Sequence, residues 1–189
     1  MPVFDPAATA LVLIDLQQGI VAMDVAPRPS HQIVAGAKDM AARFREAGAP
    51  VVLVHVGFRN DAERPPRNVD QPMAIPPGGT PPQWMALVEG LHQDGDVVVL
   101  KHHWGAFTGT DIDLQLRRRG VKTIVLAGIA TNMGVESTAR SAWELGYDLV
   151  IVEDLCSGRS ADLHAFAVTN IFPQLSRVVV AEDVAFEHA

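Results

Sequence analysis

Cysteine, tyrosine and net positive charge are scarce in this sequence. The 189 residues contain one cysteine, Cys156, and one tyrosine, and 22 acidic against 15 basic side chains give a formal net charge of −7. A single cysteine excludes an internal disulfide and is typical of a protein from a reducing compartment. The negative charge argues against a nucleic-acid or anionic-membrane surface, since both depend on a basic face.

Long hydrophobic runs are also missing. The apolar runs, such as residues 97–100, are far shorter than the roughly 20 residues of a transmembrane helix, and the N-terminal residues lack the basic and apolar parts of a signal peptide. Hydrophobic residues nevertheless make up 48% of the chain and charged residues 20%, which is a globular composition. We therefore expect one cytoplasmic domain over residues 1–189, with no cofactor and no nucleic-acid or membrane partner.

Six short apolar runs alternate with amphipathic stretches. The runs are β-branched and continuous, which is typical of strands buried on both faces of a parallel sheet. They cover residues 10–14, 51–54, 97–100, 123–126, 149–152 and 178–180. The stretches between them favour helices over 31–47, 82–89, 111–119, 132–145 and 160–171, three of which end at Gly48, Gly120 and Gly146. This alternation predicts a doubly wound α/β fold, with helices on both faces of a six-stranded parallel sheet in the Rossmann-like order 3-2-1-4-5-6.

One long stretch, residues 57–82, shows neither pattern. It is rich in proline, arginine and asparagine. A loop of this length is uncommon inside a compact domain and is usually functional. We expect it to form either a lid or an oligomer contact.

Polar residues end several of the predicted strands. In such a sheet, ligands bind beyond the carboxyl ends of the strands. Asp15 directly follows five apolar residues, and Lys101, one of only three lysines, closes a run of four aliphatic residues. A buried lysine needs a partner, so we expect Asp15 and Lys101 to meet as a functional pair. The alternative is that Asp15 only caps the following turn. The other strand-ending residues are His55, 128–130 and 153–154.

The segment 128–140 joins the fourth strand to the fourth helix. Thr131 or Asn132 is expected to cap this helix, and its first free N–H groups would then point into the cleft. Such a helix start favours an anion or a developing oxyanion. An ordinary capped helix start is the equally supported alternative.

Several segments in order resemble the isochorismatase-like hydrolase family, which includes nicotinamidases, carbamoylases and isochorismatases. The similarity is greatest to a bacterial branch with Trp-Gly-Ala-Phe and Thr-Asn-(Met/Ile)-Gly-Val-Glu-Ser-Thr-Ala-Arg. The resemblance implies a six-stranded parallel sheet, a small-molecule substrate and a homo-oligomer, dimer or tetramer, with 57–82 as a candidate contact. The matching segments are Leu-Ile-Asp-Leu-Gln at 13–17, Lys-His-His-Trp-Gly-Ala-Phe at 101–107, 128–140, Gly-Tyr at 146–147 and Glu-Asp at 153–154.

The resemblance also implies catalytic roles. Most members carry an Asp–Lys–Cys triad, whose first two residues fall at Asp15 and Lys101. The family cysteine falls at Gly134, and glycine cannot supply the thiolate of a covalent intermediate. An amidase-type hydrolase using Cys156 instead is one alternative, and a retired enzyme scaffold that binds small molecules or regulates is another.

The backbone around residue 130 has an implied role as well. The resemblance predicts a cis peptide between Ile129 and Ala130, and an oxyanion hole formed by the N–H groups of Ala130 and Gly134. The metal site of nicotinamidases is missing, because residues 55–59 read His-Val-Gly-Phe-Arg. We therefore expect no metal.

Isochorismatases proper also carry glycine at the nucleophile position and hydrolyse a vinyl ether without a covalent intermediate. By this likeness, Asp15 is the general acid, and Lys101 holds substrate charge or tunes Asp15. A nearby ammonium, however, favours the ionised carboxylate, whereas an acid must hold a proton. Burial or a bound substrate has to outweigh the ammonium.

The candidate substrate-binding residues lie in or beside the matched motifs. The aromatic pair that isochorismatases carry after their Asp-x-Gln is replaced by glycine and isoleucine at 19–20. We therefore expect Trp104 and Phe107 to form an aromatic wall, with core packing as the alternative. Gln17 either orients substrate or bonds the backbone. The full set is Gln17, His55, Trp104, Phe107 and Asn132.

Overall fold

The computed structural model describes residues 3–186, so the first two and last three residues of the predicted domain lie outside the described residues. Six strands form the central sheet, in the order β3-β2-β1-β4-β5-β6, and every neighbouring pair is parallel. The predicted fold class and strand order are confirmed. The strands are β1 (Thr9–Ile14), β2 (Val51–Val56), β3 (Val97–Lys101), β4 (Thr123–Ile129), β5 (Asp148–Ser157) and β6 (Arg177–Val179).

Helices occupy most of the connections between these strands. The α-helices are α1 (Gln18–Val21), α2 (Ser30–Glu46), α3 (Pro82–Met85), α4 (Ile112–Arg118), α5 (Glu136–Glu144), α6 (Ala161–Phe166) and α7 (Phe172–Leu175). π-helical turns at Thr131–Val135 and Ala167–Ile171 lead into α5 and α7, and short 3-10 turns lie at Asp61–Glu63 and Ala181–Asp183. Two short strands, Val3–Phe4 and Ala185–Phe186, pair with each other.

The predicted helices are present, but three differ from their predicted form. The helix predicted over 82–89 covers only Pro82–Met85, the one over 132–145 begins as the π-helical turn Thr131–Val135, and the one over 160–171 is divided into α6 and a π-helical turn before α7. The short helix α1 was not predicted. The predicted glycine ends are confirmed, since Gly48, Gly120 and Gly146 all have positive φ angles. Among residues 3–186, the structure contains no helix that is long and apolar enough to cross a membrane.

The centre of the sheet is closely packed between β1 and β4. All six residues of β1 are buried, which requires cover on both faces of the sheet. At the carboxyl end of β4, Gly128 has φ +130°, and a Cβ there would lie 2.2 Å from the carbonyl oxygen of Ile14. Only glycine allows this approach. The two strands therefore end side by side, directly before Asp15.

The outer strand β3 is less buried than its sequence predicts. Val98 is 44% exposed, although it lies in a continuous aliphatic run. Because β3 forms the edge of the sheet, it has one neighbouring strand and less cover than β1 or β4. Burial on both faces thus holds for the central strands but not for this edge.

The long segment 57–82 follows β2 and has a small apolar cluster of its own. Phe58 and Ile75 pack against Val56, apart from the main core. The amide of Thr80 donates to the carbonyl of Phe58 at 2.7 Å, which closes the segment on itself. Its role as a lid or an oligomer contact stays a prediction.

Candidate active site

Asp15 and Lys101 form a buried ion pair at the carboxyl edge of the sheet. The Lys101 Nζ donates to Asp15 Oδ2 at 2.8 Å, and the side chains are 1% and 8% exposed for lysine and aspartate respectively. The same Nζ also donates to the carbonyl oxygen of His103 at 3.1 Å. The prediction that two residues 86 positions apart meet at one edge is confirmed.

The backbone at Asp15 turns its side chain towards Lys101. Asp15 has φ +54°, the single positive φ among the described non-glycine residues, and aspartate tolerates this left-handed region better than most side chains. Its amide still donates to the carbonyl of Val54, and its carbonyl accepts from the amide of Gln17. Among the described residues, the carboxylate accepts no backbone N–H. The Asp15 side chain therefore does not cap the following turn.

One oxygen of the Asp15 carboxylate is left open. Oδ2 takes the bond from Lys101, whereas Oδ1 is buried and has no partner among the described residues. Leaving a buried acceptor unpaired costs about 1–3 kcal/mol, so such an atom is suited to a ligand. Burial raises the pKa of Asp15, and the charges of Lys101 and His55 oppose this rise without cancelling it. Burial thus outweighs the ammonium that favours the ionised form.

Gly134 lies directly against this carboxylate. A Cβ at residue 134 would be 3.2 Å from Asp15 Oδ2, 2.8 Å from Ile14 Cγ2 and 3.5 Å from the Trp104 carbonyl oxygen. The π-helical turn Thr131–Val135 therefore brings its glycine next to the ion pair. Any side chain at residue 134 has to displace Ile14.

The start of this turn differs from the predicted capped helix. The peptide bond between Ile129 and Ala130 is cis, and the helical turn already begins at Thr131, after Ala130 as N-cap, without a side-chain cap. The prediction that Thr131 or Asn132 caps the helix is wrong, because both residues lie inside its first turn. The Thr131 hydroxyl instead bonds His164 Nδ1 at 2.9 Å, and Asn132 Oδ1 is buried with no partner among the described residues.

Gln17 and His55 flank the pair in different ways. The Gln17 Nε2 donates to the carbonyls of Val56 and Trp84, and its Oε1 accepts from the Val56 amide. Gln17 therefore follows the backbone-bonding alternative, and no donor of its side chain is left for a substrate. The His55 Nδ1 lies 2.8 Å from the carbonyl oxygen of Met85. A carbonyl can only accept, so Nδ1 carries the hydrogen and Nε2 is the ring nitrogen available to a ligand.

Of the two residues predicted to form an aromatic wall, only Trp104 lies beside the site. Trp104 is 53% exposed beside the site, whereas Phe107 packs on the Tyr147 ring with centroids 5.8 Å apart and lies partly buried against the core. Phe107 thus follows its core-packing alternative. Sequence reasoning missed Trp84 of α3, whose ring lies 2.1 Å from where a Cβ of Gly19 would be. The small residue at 19 was the only signal, and its partner is too distant in sequence for a motif to reveal.

Cys156 does not have the environment of a nucleophile. It is fully buried in β5, and its thiol donates to the carbonyl of Val152 at 3.3 Å. Burial raises the pKa of the Cys156 thiol to about 12. A thiol that stays protonated and inaccessible is a poor nucleophile, which argues against the amidase-type alternative.

The fifth strand ends later than predicted. Residues 153–154 were expected to end it, but an irregularity in its pairing with β4 lets β5 continue to Ser157. Glu153 therefore lies within the strand, where its carboxylate accepts two bonds from the Arg28 guanidinium at 3.1 and 3.2 Å. Within residues 3–186, no group of three or more His, Cys, Asp or Glu side chains is placed to hold a metal ion.

Comparisons with known proteins identify similar sequences and structures. The family model described as the isochorismatase domain matches residues 9–183. "Uncharacterized isochorismatase family protein YecD" of Escherichia coli O157:H7 is 48% identical over 178 residues, covering 93% of this chain and 94% of that protein. The solved structure of an isochorismatase family protein from Burkholderia thailandensis superposes with a TM-score of 0.91 at 48% identity, covering 97% of this chain and 96% of that one. A ureidoacrylate amidohydrolase, RutB of Pantoea ananatis, is 30% identical over 175 residues, or 80% of this chain and 70% of that protein.

Proposed function

Because this chain belongs to the isochorismatase family, we propose that it hydrolyses a small molecule with Asp15 as the general acid and without a covalent intermediate. The observation that carries the proposal is the buried Asp15–Lys101 pair, in which one carboxylate oxygen has no partner. The proposed substrate bond is a vinyl ether or a related bond.

The two oxygens of Asp15 have separate tasks in this proposal. Burial raises the pKa of Asp15, so the carboxyl group can hold a proton and deliver it from Oδ1 to the substrate. For a vinyl ether, the proton adds to the alkene carbon and leaves an oxocarbenium ion, which water attacks. The attacking water returns one proton to Asp15 and becomes the hydroxyl group of a hemiketal. When the ether carbon–oxygen bond then breaks, that hydroxyl proton passes to the departing oxygen, which leaves a carbonyl compound and an alcohol. Throughout, Lys101 stabilises Oδ2 as the negative charge appears and disappears.

Water is the proposed nucleophile because neither residue 134 nor the one cysteine can supply a thiolate. Gly134 has no side chain, and the Cys156 thiol is buried with its pKa raised to about 12. The backbone N–H groups of Ala130 and Gly134 are proposed to stabilise an oxyanion if the scissile bond is an amide. His55, Trp104 and Asn132 are proposed to contact the substrate at the rim. The similarity to the ureidoacrylate amidohydrolase RutB makes small amides the second substrate class to assay.

The test is an activity assay on vinyl ethers and small amides, comparing the wild-type protein with Asp15→Asn. General acid catalysis contributes about 10²–10⁴-fold, so we expect kcat of the variant to fall by that factor. Asp154→Asn is the matched control. Burial raises the pKa of Asp154 too, but its Oδ1 accepts from the Ala181 amide at 2.8 Å, within a different part of the fold.

Two outcomes would overturn the assignment. Unchanged turnover in Asp15→Asn removes the acid from the mechanism. Binding of these compounds by the wild-type protein with no turnover favours the retired-scaffold alternative. In that case Gly134→Cys distinguishes an intact hydrolase site, which would gain amidase or thioester chemistry once Ile14 moves aside.

A further inference from the structure

A chain of polar side chains lies behind the turn that carries Gly134. The Thr131 hydroxyl is 2.9 Å from His164 Nδ1, and His164 Nε2 is 3.6 Å from Glu153 Oε2. Thr131 is fully buried and His164 is 5% exposed. None of these three side chains contributes to the acid chemistry proposed above.

The far end of this chain is fixed to the scaffold. Arg28 holds the Glu153 carboxylate through two bonds and also donates to the Glu153 carbonyl at 3.3 Å. The Ser157 hydroxyl donates to the Arg28 carbonyl at 2.7 Å and accepts from the Arg28 amide at 3.1 Å. The backbones of Ala26 and Gly158 exchange two further bonds at 2.9 and 2.8 Å. His164 is thus placed between a rigid anchor and the turn.

The neighbours of His164 define its tautomer. A carboxylate paired with a guanidinium can only accept hydrogen bonds, so the charge of Glu153, whose Oε2 lies 3.6 Å away, favours the ring hydrogen on Nε2. The bare Nδ1 then accepts from the Thr131 hydroxyl. Burial lowers the pKa of His164, with the charge of Glu153 opposing and that of Arg28 assisting, and the neutral ring is favoured.

Among the described residues, His164 is the one hydrogen-bond partner of the Thr131 hydroxyl. Thr138, further along the same segment, donates to the carbonyl four residues earlier, that of Gly134, at 2.6 Å. The residue four positions before Thr131 is Ala127, which lies in β4, so the corresponding bond within a helix does not exist for Thr131. Without His164 its buried hydroxyl would be unsatisfied, at a cost of about 1–3 kcal/mol.

We propose that His164 is a positioning residue, which holds Thr131 through Nδ1 and thereby fixes Gly134 of the turn against Asp15. A Cβ at residue 134 would lie only 3.2 Å from Asp15 Oδ2. A small rotation of the turn therefore changes the space beside the acid. The catalytic consequence rests on the proposed function, whereas the positioning itself does not.

The first test uses two variants that each keep one half of the ring's contacts. Asn at 164 places an amide oxygen near the position of Nδ1, and Gln reaches towards the position of Nε2. We expect the backbone amide resonance of Gly134 in ¹H–¹⁵N spectra to stay near its wild-type position in His164→Asn and to shift in His164→Gln. Equal shifts in both variants, or the reverse order, would overturn the proposal.

A third variant covers the case in which a His164 variant does not fold. Thr131→Val removes only the hydroxyl, and we expect it to shift the Gly134 amide as His164→Gln does. Thr169→Val is the matched control, because that hydroxyl donates to the Ala165 carbonyl on an exposed face. An unmoved Gly134 amide in Thr131→Val contradicts the proposal.

Ring spectroscopy and kinetics complete the test. In protein labelled with ¹⁵N-histidine, His164 should show a protonated Nε2 and a bare Nδ1, and a protonated Nδ1 at neutral pH is incompatible with the proposal. With a substrate in hand, Thr131→Val should lower kcat by up to about 10²-fold with KM unchanged, as a misplaced group does. Because the spectra need no substrate, they test the positioning of the turn even if Asp15→Asn is fully active.

Discussion

Two ion pairs of low exposure lie at opposite ends of β3, and they differ in what they leave unsatisfied. Asp96 precedes the strand and accepts from Arg45 at 3.0 and 2.7 Å and from the Gln93 amide at 2.9 Å, so both its oxygens are bonded. Lys101 ends the strand and bonds one oxygen of Asp15, while the other has no partner among the described residues.

The difference separates a structural pair from a candidate reactive one. The Asp96 pair joins the end of α2 to the start of β3 and leaves neither carboxylate oxygen without a partner. The Asp15 pair keeps a buried oxygen open at the edge where ligands bind in sheets of this class. Burial with incomplete hydrogen bonding, more than burial alone, therefore marks the site.

The largest expected effect is that of Lys101→Met. Without the ammonium, the carboxylate formed when Asp15 gives up its proton has no counter-charge in a buried site. We expect kcat to fall by about 10²–10⁴-fold. Because Lys101 lowers the pKa of Asp15, the residual activity should persist to higher pH before it falls. Lys122→Met is the matched control, and a pH–rate profile with both variants makes the comparison.

Asp96→Asn should lower the stability of the fold and leave turnover unchanged. Breaking a largely buried pair leaves Arg45, 18% exposed, without its counter-ion, and we expect the free energy of unfolding to fall by about 3 kcal/mol. Urea unfolding measures this loss. At urea concentrations below the unfolding transition, turnover should match that of the wild type. A folded Asp96→Asn protein with activity as low as that of Asp15→Asn would contradict the division into a structural and a reactive pair.

The smallest expected effect is that of Cys156→Ser. Serine can keep the bond to the Val152 carbonyl, and the thiol it replaces stays protonated because burial raises its pKa to about 12. We expect unchanged kcat/KM and a loss of unfolding free energy below about 2 kcal/mol. A folded but inactive Cys156→Ser variant would favour the alternative in which Cys156 is the nucleophile.

The fold could be predicted because its signals are local. Continuous β-branched runs identified the six strands, and glycines marked three helix ends. The Asp15–Lys101 pair followed from one topological rule, that the carboxyl ends of parallel strands meet at one edge. This rule needs only the strand ends, so it works across 86 residues.

The surroundings of the pair could not be predicted in the same way. The contacts of Thr131 with His164 and of Arg28 with Glu153 join residues 33 and 125 positions apart, without a motif or a strand end to indicate them. Thr131 was expected to cap a helix because local preference for caps is strong. The early start of the helical turn and the anchored histidine ring override that preference.

The most direct test of Asp15 as the acid is a ¹³C NMR titration of its carboxyl group in the folded protein, assigned with Asp15→Asn. We expect a pKa above the ordinary value of 3.8, because burial outweighs the charge of Lys101. A pKa at or below that value would show a carboxylate that is always ionised at working pH. Asp15 would then be a counter-ion for Lys101, and the proposed acid would have to be sought elsewhere.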